Sequence, residues 1–309
     1  MRTAIAIAAF VVPFAAARGV AGTADERPDP LLQRTIEECA AGFRGDVGVY
    51  VRHLPSGRSA SLRADEVFPT ASMVKVPILL ALVDRVERGE LDWHATLVYN
   101  DSLLYPGDDI VGGLRDSAGI SLSKVAMLMI TTSDNTAALW CQRLAGGGAA
   151  VNGWLERNGF DSTRVNSRTT GREEARNRYG WGQTTPREMA ALLVRIREGT
   201  AVSRAASEEM YRMLTRIYWN GEALSAVPPW VQTASKQGAV NRSRSEVVLV
   251  NAPSGDYVFC VITKNQEDQS WTAENEGYLL LRRVSAALWN HFEPGTPWAP
   301  APGAERWKP

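Results

Sequence analysis

Histidine is nearly missing from this chain, with 3 copies in 309 residues, and net charge is missing altogether. Lys plus Arg and Asp plus Glu each total 34, and no dense basic cluster stands out. That excludes the electrostatic footprint of a nucleic-acid partner. Cysteine is scarce as well. Cys39, Cys141 and Cys260 form an odd set without metal-ligand spacing, so no metal site and no cofactor are expected. At least one of these thiols stays unpaired within the chain, and all three read as small buried hydrophobes. Beyond the N-terminus no apolar run is long enough to span a bilayer, and no internal repeat is visible.

What is present is ordinary for a globular protein, 45 % apolar and 22 % charged, in a chain long enough for a sizeable core. The first residues, M-R-T-A-I-A-I-A-A-F-V-V-P-F-A-A-A-R-G-V-A-G, join an early Arg to a short apolar run and then small residues. This pattern predicts a signal peptide over residues 1–22, and hence export to the periplasm or the extracellular space.

Helical spacing follows in D-P-L-L-Q-R-T-I-E-E-C-A, then the alternation of D-V-G-V-Y-V-R-H-L and S-A-S-L-R-A about a P-S-G-R turn, a hairpin. From Phe68 the pattern turns helical, with Val76, Leu79, Leu80, Val83 and Val86 on one face. Two further helical runs start near Ser121 and Thr185, the second with Pro186 at its first position. Between them, Asn166 to Gln183 is a polar stretch without apolar period, expected as a functional or disordered loop. Strands return in S-E-V-V-L-V-N-A-P and D-Y-V-F-C-V-I-T-K, and a last amphipathic helix covers about Thr272 to His291. The tail from 294 to 309 is Pro-rich and expected to be unstructured. One sheet built from distant segments is implied, 29–67 with 222–293, and an inserted helical unit over 68–221.

Three small motifs bear chemistry. In F-P-T-A-S-M-V-K-V-P-I-L-L, Ser72 and Lys75 share one helix face, and Lys75 is the single charge between Glu66 and Asp84. A lysine in apolar surroundings loses solvation of its charged form, so its pKa falls and it can serve as a base. The same Ser-x-x-Lys spacing recurs at Ser121 and Lys124, where a helix cap and a solvated lysine explain it. T-T-S-D-N-T places Ser133, Asp134 and Asn135 together, all three good capping residues. A-S-K-Q-G-A-V places Lys236 and Gly238 just ahead of the late strands, which an edge lysine and a turn glycine would also explain. The histidines have no motif neighbours, so a Ser–His–Asp triad is not supported.

In this order the three motifs resemble the class A β-lactamase-like family of penicillin-recognising serine enzymes. G-F-D-S-T-R-V at 159–165 and T-T-P-R-E-M-A at 184–190 support the resemblance, which covers about Leu31 to Phe292. It implies an α/β (α+β) fold, β-lactamase/transpeptidase-like, with a five-stranded antiparallel sheet flanked by helices and an inserted all-helical domain. It implies that Ser72 is acylated with Lys75 as its base partner, and that Ser133 shuttles a proton while Lys236 holds it. Asn135, Gln237, Gly238, Ala239 and Arg244 then contact the substrate, with Ser72 and Ala239 N–H groups as the oxyanion hole. A β-lactam, or a peptidoglycan-type peptide, is the implied small-molecule partner of a monomer.

Two departures stand against the pattern. Gln237 replaces the hydroxyl residue of Lys-Thr/Ser-Gly, and the loop lacks Arg-x-Glu-Pro-x-x-Asn, whose Glu activates the deacylating water. An ungapped register puts Thr169 at that Glu and Glu173 at the Asn; a slipped one makes Glu174 the acid. Alternatively Glu173 and Glu174 are a solvated charge cluster among Arg172, Arg176 and Arg178. Three functions stay open: a β-lactamase, a D-Ala-D-Ala peptidase-like or other serine acyl hydrolase, and a non-catalytic binding protein on this scaffold.

Overall fold

A computed structural model describes residues 26–309, so the expected signal peptide over 1–22 lies outside the described residues. The chain opens with β1 (Arg27–Pro28) and α1 (Pro30–Ala40), then β2 (Asp46–His53), β3 (Arg58–Leu62) and β4 (Phe68–Pro69). The middle runs through α2 (Lys75–Glu87), β5 (Thr96–Val98), β6 (Gly119–Ser121), α3 (Leu122–Thr131), α4 (Asn135–Leu144) and α5 (Gly147–Arg157). Next come β7 (Arg164–Val165), α6 (Glu173–Tyr179), β8 (Gly182–Thr184), α7 (Pro186–Arg197) and α8 (Arg204–Leu214). The chain then returns to the sheet with β9 (Thr233–Val240), β10 (Ser243–Val250) and β11 (Tyr257–Lys264), and α9 (Glu276–Phe292) closes it.

The main sheet has the order β1-β3-β2-β11-β10-β9. Five of its strands are antiparallel neighbours, and the expected five-strand sheet gains a sixth, the two-residue β1, paired in parallel with β3. Its pairing comes from the N-terminal segment lying along β3 before Asp29 caps α1. The period-2 alternation divides the sheet into two faces. Val247 and Leu249 of β10 enter the core shared with α2, α3, α4 and α7. Val248 and Val250 enter the second core, formed with α1 and α9.

The helix after Phe68 is more deeply placed than one apolar stripe implies. Every residue from Lys75 to Val83 is buried, so α2 is an internal helix packed on all sides. Each fully buried Leu along it contributes roughly 1.5–3 kcal/mol of transfer free energy. Asn166–Gln183 is not all loop either: α6 forms inside it, with Glu173 and Glu174 in its first turn and Arg176 and Arg178 in its last, matching the helix dipole. The tail also departs from expectation. Trp298 packs against the second core and Ala304–Trp307 forms a 3₁₀ turn. All three cysteines are buried and free. Among the described residues, no helix is long and apolar enough to cross a membrane, and no cluster of His, Cys, Asp and Glu could hold a metal ion.

Candidate active site

Ser72 sits in the 3₁₀ turn Ala71–Val74, and Lys75 is the first residue of α2. Pro77 falls in the first turn, where its missing N–H has no helical partner to lose. Ala71 takes φ 44°, a left-handed conformation that non-glycine residues enter at a cost and that clusters at functional sites. Lys75 Nζ lies 3.1 Å from Ser72 Oγ. It also donates to Ser133 Oγ at 3.0 Å, to Asn135 Oδ1 at 2.8 Å and to the Ser133 carbonyl. The lysine is fully buried, and none of these acceptors is a carboxylate. Burial pushes its pKa from 10.5 down to about 7, against the opposing pull of Asp109 and Asp134.

Ser133 reaches Lys75 because the helical run from Ser121 breaks. The hydroxyls of Thr131 and Thr132 bond back to carbonyls four residues earlier, and Ser133 then takes φ 61°. Asp134 restarts the chain as the cap of α4, accepting from Ala137 N at 2.7 Å and from Val111 N at 2.8 Å. A residue that sequence reading missed completes this turn. Asp109 accepts from Asn135 N at 2.9 Å, Thr136 N at 2.7 Å and Thr136 Oγ1 at 2.9 Å, clamping the loop before α3 onto the Ser-Asp-Asn motif. Its only sequence signal was an aspartate in a Gly-rich loop, Y-P-G-D-D-I-V-G-G. Tyr105, in the same loop, donates its backbone N–H to Thr136 Oγ1 at 3.0 Å, and its ring meets Trp181 edge-on at 5.1 Å.

Lys236 comes from β9, the outer strand of the sheet. It pairs with Val247, so its side chain leaves on the face that carries the helical core. Its Nζ donates to Ser133 Oγ at 3.1 Å and to the Gln237 side-chain oxygen at 2.7 Å. Burial, reinforced by the nearby Lys75, drives its pKa well below the usual lysine range. Ser133 Oγ therefore bridges two buried lysines, one of which also holds Ser72 Oγ. Gly238 makes the close approach possible. A Cβ there would stand 2.6 Å from Thr70 O and 2.9 Å from Ser72 N, both backbone atoms, so β9 can lie against the nucleophile turn only with glycine at this point. Ala239 follows it along the same strand edge.

Four expected residues are not brought to this cluster. Arg244 is the first correction. It pairs with Ala239 and shares the strand face of Val248 and Val250, opposite to Lys236. Its guanidinium is fully buried between Trp271 and Tyr278, donating to the carbonyls of Val240, Ser243 and Ser270. Ser245, one position on, takes the site-side place, bonded to Gly238 O at 3.1 Å. The turn that pairs Val240 with Ser243 sets this register, and because side chains alternate along a strand it leaves Arg244 on the far face. Glu173 and Glu174 are exposed on α6; Glu173 caps Gly171 N, and neither bonds Ser72 or Lys75. Thr169 is buried but faces α5. Its Oγ1 donates to Ser167 O at 2.9 Å, and a Cβ on Gly148 would stand 1.7 Å from that oxygen. The histidines lie elsewhere, His53 on Ser56 and His291 on Asp29.

A buried, neutral-leaning amine against a serine hydroxyl can take its proton, and a second hydroxyl between two lysines can relay one. Known proteins share this arrangement of elements. Residues 31–292 match the model of the beta-lactamase enzyme family. Among solved structures, PBP-A is 27 % identical, with 87 % of this chain and 98 % of that chain covered and a TM-score of 0.77. A PBP-A mutant, solved as an acyl-enzyme complex with penicillin G, is 26 % identical over 88 % of this chain and 100 % of that one, at a TM-score of 0.78. The fold is also that of a β-lactamase from Sphaerobacter thermophilus, 24 % identical over 84 % and 96 % of the two chains, TM-score 0.74. The matched span takes in every motif from Ser72 to Gly238, and with it the chain belongs to the beta-lactamase enzyme family.

Proposed function

We propose that this protein is a serine acyl hydrolase that opens a β-lactam amide by forming an acyl-enzyme on Ser72. The observation that carries this is the continuous hydrogen-bonded chain Ser72–Lys75–Ser133–Lys236. Neutral Lys75 takes the Ser72 proton as Oγ attacks the carbonyl carbon. The N–H groups of Ser72 and Ala239 receive the developing oxyanion, at a strand edge that Gly238 brings against the nucleophile turn. Ser133 passes a proton to the leaving nitrogen, with Lys236 holding its oxygen. Asn135 and Gln237 supply amide groups to the two ends of the substrate, Gln237 standing where the family has a hydroxyl.

Deacylation is slow on this reading, since Thr169, Glu173 and Glu174 all stand away from Ser72 and Lys75. The penicillin G acyl-enzyme of the related PBP-A mutant supports a long-lived adduct. The same feature favours a second reading, a D-Ala-D-Ala peptidase-like enzyme for which the β-lactam acts as a slowly released substrate analogue. Export follows for either from the N-terminal pattern. Intact-mass spectrometry after a short pulse of penicillin G should show a single adduct, absent in Ser72→Ala. No adduct with any β-lactam or fluorophosphonate probe would return the protein to a binding role. Release of D-alanine from a D-Ala-D-Ala peptide separates the two enzymatic readings.

A further inference from the structure

Ser133 is flanked by a segment that belongs to none of the three motifs. After α8 the chain turns back to the end of α3, where Tyr218 N donates to Thr131 O at 2.9 Å. Trp219 Nε1 donates to Thr132 O at 2.8 Å. These carbonyls end α3 and immediately precede Ser133, so the two bonds fix a pair of aromatic residues beside the hydroxyl that sits between the lysines. The rings meet edge-on at 5.2 Å, yet Tyr218 is 56 % and Trp219 40 % exposed. Capping the last carbonyls of a helix takes two N–H groups and no aromatic surface. A ring bonded at its polar edge and open along its apolar face is instead built to receive a ligand group. The polar groups next to it are turned inward: Lys236 commits its three N–H groups to Ser133 Oγ, Gln237 O and Gln237 Oε1, and Lys75 is committed to Ser72, Ser133 and Asn135.

We propose that Tyr218 and Trp219 form a specificity-determining ledge for the amine half of the substrate, and that they select a flat aromatic substituent on that half. The inference rests on the acyl-transfer reading above, in which Ser133 hands a proton to the leaving nitrogen. Whatever that nitrogen carries then lies on the Ser133 side of the cleft, next to Thr132 and the indole it holds. An aromatic group there covers ring faces that otherwise stand in water and adds an offset or edge-to-face contact. The bonds to Thr131 and Thr132 hold the segment in place before the substrate arrives, so little side-chain freedom is lost on binding. Arg244, on the opposite face of the sheet, adds no charge to this edge.

Two cephalosporins with the same acyl side chain test this, one carrying a methyl and the other a styryl group on the ring fused to the lactam. Their second-order rates of adduct formation on the full protein, read by intact mass, give a styryl-to-methyl ratio. Intrinsic reactivity cancels when this ratio is compared between variants. Trp219→Ala and Tyr218→Ala should each lower the ratio about tenfold. Trp219→Phe keeps a ring and loses the Nε1 donor, so it should lower the melting temperature while the ratio stays within about threefold of wild type. If both rates fall by one factor in the alanine variants and the ratio stays as in wild type, the residues only cap α3 and the proposal is wrong. Tyr218→Ala retains its backbone bond to Thr131, and it decides the question should Trp219→Ala fail to fold. If wild type forms an adduct with neither compound, the acyl-transfer reading fails, and the indole N–H resonance of Trp219, assigned from Trp219→Phe, decides the ledge. A shift with the styryl compound and not with the methyl one sustains it; no shift, or the same shift with both, overturns it.

Discussion

Acylation should follow the deprotonation of Lys75, and pH is the cleanest perturbation of it. The lysine is fully buried and its pKa stands at about 7 instead of 10.5. That displacement corresponds to about 5 kcal/mol at roughly 1.4 kcal/mol per unit, the net of lost solvation of the ammonium against the opposing pull of Asp109 and Asp134. At pH 7 about half of the molecules then carry a neutral base, where an ordinary lysine would offer roughly 0.03 %. The second-order rate of penicillin G acylation, from stopped pulses read by intact mass, should fall about tenfold between pH 7.5 and pH 6 and level off above pH 8. The sign follows from the base being the neutral form, lost as pH drops through its folded pKa. Asp109→Asn sharpens the test. Asp109 raises the lysine pKa, so its loss should shift the acid limb down by about one unit, even as the cap on Asn135 and Thr136 weakens. A flat profile from pH 5.5 to 8, or a limb that ignores Asp109→Asn while the fold is intact, would refute Lys75 as the base.

Gly238→Ala should cost about 1–3 kcal/mol in denaturant melts and at least tenfold in acylation rate, because its Cβ meets Thr70 O and Ser72 N within 3 Å; unchanged acylation would show that the strand and the nucleophile turn are not in contact. Glu173→Gln and Glu174→Gln should leave the adduct lifetime within twofold of wild type, since both residues are exposed on α6. A tenfold longer lifetime in either would place that carboxylate on the deacylating water.

Ser72, Lys75, Ser133 and Lys236 stand out in the sequence because each lies in a short motif whose spacing is local, and the structure brings the four side chains into one hydrogen-bonded chain. Gly238 was legible as a glycine, though the backbone it admits came into view only with β9 laid beside the Ser72 turn. Asp109 was not legible: its partners Asn135 and Thr136 lie on a separate helix, and an aspartate in a Gly-rich loop has many ordinary explanations. Arg244 was misread for a related reason. Its identity and strand were right, but a single residue of hairpin length decides which face a side chain takes.

By itself, then, the sequence determined the longer helices and strands, the three motifs and their order, since local periodicity and capping chemistry are written in neighbouring residues, whereas β1, α6 and the turn in the tail came only with the structure. Tertiary structure alone decided the chemistry of those motifs. Burial turns Lys75 from an ordinary cation into a base near pH 7, and the break at Ser133 sets one hydroxyl between two lysines. The fold also turns the loop carboxylates outward and sends Arg244 to the face of the sheet opposite Lys236. Charge and desolvation act through space, and no pattern along a chain measures distance across a sheet.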